Sequence, residues 1–135
     1  MPMTLHRLPL QKLQQFDDAA VVTDADLAAL RPDGHRVDDG LEQMFDEHQD
    51  VFAYILRPEG RIAQEHEEIA VGYVTPGKLK ERLGYFEHVH PAAVREELGE
   101  EELPVAYFEK NIGGLREYVR PTVDQGWALL IVQTF

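Results

Sequence analysis

The sequence predicts an α+β fold in which a mostly antiparallel sheet packs against helices. A hairpin and meander signal lies between residues 51 and 75, and the C-terminal segment 127–135 is apolar on both faces. Segments with helical periodicity alternate with these strand-like segments. Local hairpins mixed with helices are typical of α+β proteins. The length of 135 residues fits a single domain over 1–135.

The composition indicates a globular protein that folds without covalent cross-links. Hydrophobic residues make up 44% of the chain, and it contains neither cysteine nor serine. Disulfides, thiolate metal sites, cysteine nucleophiles and serine nucleophiles are therefore excluded. No apolar run is long enough to cross a bilayer, and the first residues lack a signal-peptide core. We expect a cytoplasmic protein.

The charge of the chain limits its partners. The formal net charge is −12 at pH 7. Such a protein repels phosphate backbones and anionic lipids, so binding to nucleic acid or to a membrane is not expected. The charge keeps a protein soluble, and it also speeds association with a protein that has a basic surface.

The N-terminal third is predicted to be helical. Leucine and phenylalanine recur at helical spacing over 10–20. Thr23 and Asp26 form a capping-box signal for a short helix that ends before a turn at Pro32. The clearest amphipathic pattern covers 41–48 and predicts a third helix.

A three-stranded meander is predicted next. Residues 51–56 have strand composition, and the following Arg-Pro-Glu-Gly sequence at 57–60 matches a type I turn. The returning strand begins at 61–63, and a third strand follows at 69–74.

Two helices follow the meander. Thr75 and Pro76 are typical of a helix start, and Gly84 is the predicted end of that helix. An extended stretch over 85–90 then leads to a second helix, which begins at Pro91 and ends at Gly99.

The C-terminal part is predicted to hold two strands and one helix. Residues 104–110 have strand character, and a glycine turn at 111–114 leads into a helix that Pro121 interrupts. The last segment, 127–135, is predicted to be a central strand because both of its faces are apolar.

Four histidines are weak candidates for a metal site. In the extended stretch His88 and His90 would point to one face, and His66 or His48 could complete a site. The alternative is that His90 caps a helix and His88 is a surface residue. We favour the alternative because short motif matches are common by chance, and we expect neither a metal nor another cofactor.

Two further motifs carry a possible chemistry. The glycine turn at 111–114 could bind phosphate with its backbone amides, but an ordinary strand-to-helix turn is favoured because no Walker lysine is present. Glu100, Glu101 and Glu102 could act as paired carboxylates. A solvated loop between Gly99 and the following proline is the favoured interpretation.

Two fragments resemble GNAT acyltransferases. One is Val89-His90-Pro91, followed by Arg95 and Gly99, which is similar to the acyl-CoA pyrophosphate loop. The other, 106–111, is similar to the C-terminal helix motif of that family. The resemblance implies acyl-CoA binding. The arginine-to-glycine spacing departs from the family's pattern, and the two fragments leave no room for the elements between them.

The sequence favours a small, acidic, non-catalytic domain that binds another protein, as a regulator, inhibitor or immunity factor does. The alternative is a small enzyme, either a GNAT-like acyltransferase or a histidine-based metal-dependent enzyme. A homo-oligomer is also compatible with the sequence. No residue is assigned a catalytic role from the sequence.

Overall fold

The computed structural model describes residues 3–18, 23–30, 34–38, 57–62, 68–88, 90–99 and 102–134. The strands are β1 (Met3–Leu8), β2 (His35–Val37), β3 (Gly60–Ile62), β4 (Ile69–Val74) and β5 (Ala128–Thr134). The helices are α1 (Leu10–Asp18), α2 (Asp24–Leu30), α3 (Pro76–Phe86), α4 (Pro91–Leu98) and α5 (Val105–Asp124).

The five strands form one sheet in the order β2-β1-β5-β4-β3, and every neighbouring pair is antiparallel. β5 lies in the centre, where Ile131 pairs with Leu5 on one side and with Gly72 on the other. The predicted α+β fold is confirmed, and so is the central C-terminal strand. A strand with two apolar faces is stable only where both faces are covered.

Alternate residues of β5 enter two separate hydrophobic clusters. Leu129 and Ile131 pack with side chains of α3, α4 and α5 on one face of the sheet. Leu130 and Val132 pack with Leu13 and other side chains of α1 and α2 on the opposite face. The molecule therefore has three layers, and the sheet is the middle layer.

The hairpin between β3 and β4 agrees with the predicted meander. Gly60 pairs with Tyr73, and the Glu59 amide donates a 2.8 Å hydrogen bond to the Tyr73 carbonyl. The Glu59 carboxylate accepts hydrogen bonds from the Thr75 amide at 2.9 Å and from its hydroxyl at 2.7 Å. These two bonds lower the pKa of Glu59 and join the residue before β3 to the start of α3.

The capping box at the start of α2 is confirmed. The Thr23 amide donates to the Asp26 carboxylate at 3.0 Å, and the Asp26 amide donates to the Thr23 hydroxyl at 3.2 Å. Each side chain thus satisfies a backbone donor that the first helical turn leaves open. The predicted turn at Pro32, the helix at 41–48 and the strand at 51–56 lie outside the described residues.

The predicted end of α3 at Gly84 is wrong, and so is the extended conformation predicted for 85–88. His90 is extended as predicted, and residue 89 lies outside the described residues. α3 continues to Phe86, and the Glu87 amide still donates to the Leu83 carbonyl at 2.9 Å. Phe86 is buried in the core. Burying an aromatic side chain is worth more than the roughly 1 kcal/mol that a glycine costs inside a helix. The predicted α4 is confirmed, and Gly99 ends it at φ 69°.

The predicted strand over 104–110, the glycine turn over 111–114 and the interruption at Pro121 are also wrong. All three segments belong to α5, a single 20-residue helix preceded by Pro104. Phe108, Ile112, Leu115 and Val119 recur at helical spacing and are buried together. This apolar stripe overrides the strand propensity of the aromatic residues at the start of the segment.

α5 continues past Pro121 to Asp124. A proline has no amide hydrogen for the carbonyl four residues earlier, which here is that of Glu117. In this turn, the Tyr118 carbonyl accepts hydrogen bonds from the Thr122 hydroxyl at 3.0 Å and from Arg7 Nη2 at 3.1 Å. Gly126, at φ 68°, then turns the chain into β5.

The first strand is an element that the sequence patterns did not predict. Leu5 and Leu8 are fully buried, and the His6 side chain is buried beside them. His6 Nδ1 lies 3.1 Å from the Leu30 carbonyl, and Nε2 lies 3.0 Å from the Thr4 hydroxyl. A carbonyl can only accept, so Nδ1 carries the proton and Nε2 accepts from Thr4. None of the helices in the described part of the chain is long and apolar enough to span a membrane.

Candidate functional site

A cleft of about 530 Å³ lies between β2 and α5. β2 provides one wall, and the middle of α5 provides the other. The lining residues are His35, Arg36, Val37, Asp38, Lys110, Asn111, Gly114 and Leu115.

The cleft has an apolar base and a charged rim. Val37 and Leu115 are each 1% exposed and belong to the large core cluster. Arg36, Asp38 and Lys110 are exposed at the rim. A ligand in the cleft can therefore contact aliphatic side chains below and charged groups above.

Gly114 leaves room for the cleft in the middle of α5. A Cβ atom at this position would lie 3.6 Å from His35 Cε1, across the cleft. The neighbouring Gly113 does not line the cleft, and a Cβ there would meet nothing within 4 Å. A glycine inside a helix costs roughly 1 kcal/mol relative to alanine. At position 114 the missing side chain leaves space between α5 and His35.

His35 forms the inner end of the β2 wall. Its ring centroid lies 5.2 Å from that of Tyr118, with an angle of 32° between the planes. Burial lowers the pKa of His35, and the positive charge of Arg7 lowers it further. The imidazole is therefore mainly neutral at pH 7, and it presents a hydrogen-bonding group rather than a charge.

Arg7 fixes the position of Tyr118. The Arg7 guanidinium carbon lies 4.1 Å from the centroid of the Tyr118 ring. The Arg7 amide donates a 2.9 Å hydrogen bond to the Tyr118 hydroxyl, and Nε donates a 3.0 Å hydrogen bond to the Thr122 hydroxyl. His35 thus packs against a tyrosine ring that is held from both its face and its hydroxyl end.

Three of the described residues at the rim carry a charge: Arg36, Lys110 and Asp38. The Tyr107 hydroxyl donates a hydrogen bond to the Asp38 carboxylate. Asn111 Nδ2 donates to the Tyr107 carbonyl at 2.8 Å. Among the described residues, no acceptor forms a hydrogen bond or ion pair with Lys110. The lining residues that the structure describes thus include two cations and one carboxylate.

The structure describes two of the four candidate histidines. His88 lies in the exposed turn after α3, and His90 precedes α4 as an exposed N-cap residue whose side chain makes no capping hydrogen bond. His48 and His66 lie outside the described residues. Within the ranges that the structure describes, no three histidine, aspartate or glutamate side chains are grouped in a way that could hold a metal ion.

Of the other two predicted motifs, the glycine turn at 111–114 is wrong, and the acidic loop is described only at Glu102. Asn111 and Gly114 line the cleft, but they do so from within a helix and not as a phosphate-binding turn. Glu102 is exposed, whereas Glu100 and Glu101 lie outside the described residues.

The fragments that resemble GNAT acyltransferases are mainly helical. Arg95 lies in α4 and donates from Nε to the Leu103 carbonyl at 2.5 Å. Gly99 ends this helix, so these two residues do not form a loop ahead of a helix N-terminus. Residues 106–111 lie in the first half of α5. Val89 lies outside the described residues.

The sequence does not predict the cleft because it does not predict β2. Its three residues, His35–Val37, carry two polar or charged side chains followed by one apolar side chain, which is too short a pattern to indicate a strand. The available signal was the pair Gly113 and Gly114 within the apolar period of α5. A glycine inside a helical pattern often has a packing or functional reason.

No protein-family model matches this chain, and no curated protein sequence is significantly similar to it. The fold is similar to that in the crystal structure of YfbM from Escherichia coli, a protein of unknown function. The TM-score is 0.66 at 14% sequence identity, and the alignment covers 98% of this chain and 99% of YfbM. At this identity the likeness extends to the fold alone.

Proposed function

We propose that this protein is a non-catalytic binding domain and that the cleft between β2 and α5 is its recognition site. The observation that carries the proposal is the glycine at position 114, which leaves the cleft open at the expense of helix stability. Tyr118 and Arg7 support the opposite wall through His35. One wall of the cleft is held in place by side-chain contacts, and the other leaves space for a ligand. A ligand can therefore bind with little rearrangement of the protein.

The partner that we propose is another protein with a basic surface. An apolar base surrounded by a charged rim is the usual arrangement of a protein–protein contact. The net charge of −12 attracts a basic partner over long distances and speeds its association. Because the chain lacks cysteine, we also propose that it acts in the cytoplasm.

The test uses peptides selected on the intact protein. Random heptapeptides would be selected on immobilised wild-type protein, and their affinities measured by calorimetry for the wild type, Gly114→Leu and Gly113→Leu. The Leu side chain at 114 occupies the cleft, whereas the one at 113 adds the same volume outside its lining. We expect a loss of about tenfold or more for Gly114→Leu, because a ligand excluded from the base loses its apolar contacts.

Gly113→Leu should retain wild-type affinity and serves as the matched control. Equal affinities for all three proteins would place the selected peptides elsewhere on the surface and contradict the proposal. The proposed basic partner has its own test, since the association rate of basic peptides should fall as salt is added.

A further inference from the structure

We draw no further inference here: the strongest candidate, the surface patch of Arg57, Lys78 and Arg82 where the residues before β3 meet α3, carries none because nothing in the described part of the chain shows what covers it.

Discussion

Arg7 and Tyr118 contact each other in three ways although 111 residues separate them. The Arg7 amide donates to the Tyr118 hydroxyl at 2.9 Å, Nη2 donates to the Tyr118 carbonyl at 3.1 Å, and the guanidinium lies over the ring. β1 pairs with β2 only as far as Leu5, two residues before Arg7. The Tyr118 hydroxyl thus accepts a hydrogen bond from a β1 amide that lies beyond the last residue pair between β1 and β2. This hydrogen bond links β1 to α5 beside the cleft.

The first prediction concerns this hydroxyl. Tyr118→Phe should lower the free energy of unfolding by about 1–2 kcal/mol, because a buried amide would lose its acceptor. Chemical denaturation measures the change. Tyr107→Phe removes a hydroxyl whose hydrogen bond to Asp38 is exposed, so its effect should be clearly smaller. Equal losses for both variants would show that the Arg7–Tyr118 link has no special stabilising role.

The second prediction separates the glycines of α5 from the glycine that ends α4. Gly113→Ala and Gly114→Ala should each raise the free energy of unfolding by about 0.5–1 kcal/mol, since alanine favours a helix and both sites accept a methyl group. Gly99→Ala should instead destabilise the protein by about 1 kcal/mol, because Gly99 has φ 69°. Thermal or chemical denaturation of the three variants checks these signs, and a destabilised Gly114→Ala would mean that the cleft has less room than described.

The third prediction follows from the lowered pKa of His35. As the pH falls below 6.5, the ordinary value, the unfolded chain takes up a proton at His35 that the folded chain does not. The free energy of unfolding therefore falls as the pH is lowered from 6.5 to the pKa of His35 in the folded state. Below that pKa it no longer changes with the protonation of His35. His35→Gln cannot titrate, so the wild type should lose stability relative to this variant over that range. Denaturation at a series of pH values measures the difference in free energy of unfolding between the two proteins. A difference that does not vary with pH would show that burial of His35 has no effect on its titration.

The fourth prediction tests the central position of β5. Leu130 is 0% exposed, so Leu130→Asp would bury a carboxylate without a partner and should cost several kcal/mol, about the whole stability of an ordinary domain. Thr134→Asp introduces the same side chain at the exposed end of the same strand and should change stability by less than about 0.5 kcal/mol. Circular dichroism and denaturation compare the two. A mild effect of Leu130→Asp would contradict the assignment of both faces of β5 to the core.

The elements that the sequence predicted correctly are those with strong local signals. Thr23 and Asp26 satisfy each other's backbone amides, so their helix start depends on neighbouring residues only. Pro91 and Gly99 mark the two ends of α4, and these signals are also local to the helix. β5 was recognised because its two apolar faces need cover from both sides.

The errors arose where distant contacts decide the local structure. α5 continues past Pro121 because Ile112, Leu115 and Val119 are buried in the core that the sheet and the other helices form. The sequence of β1 carries no strong strand signal. β1 is a strand because β5 pairs with it along its whole length. The sequence does not predict the cleft, since the cleft depends on the approach of a three-residue strand to Gly114, which belongs to a glycine pair that is typical of a turn.

The measurement that tests the central claim most directly is a map of contacts between the protein and its tightest selected peptide. Intermolecular nuclear Overhauser effects would be recorded from the peptide to the protein's methyl groups. The account predicts contacts to Val37 and Leu115, the apolar base of the cleft. Contacts confined to a different apolar group, such as Leu10 on α1, which is 44% exposed, would show that the cleft is not the recognition site.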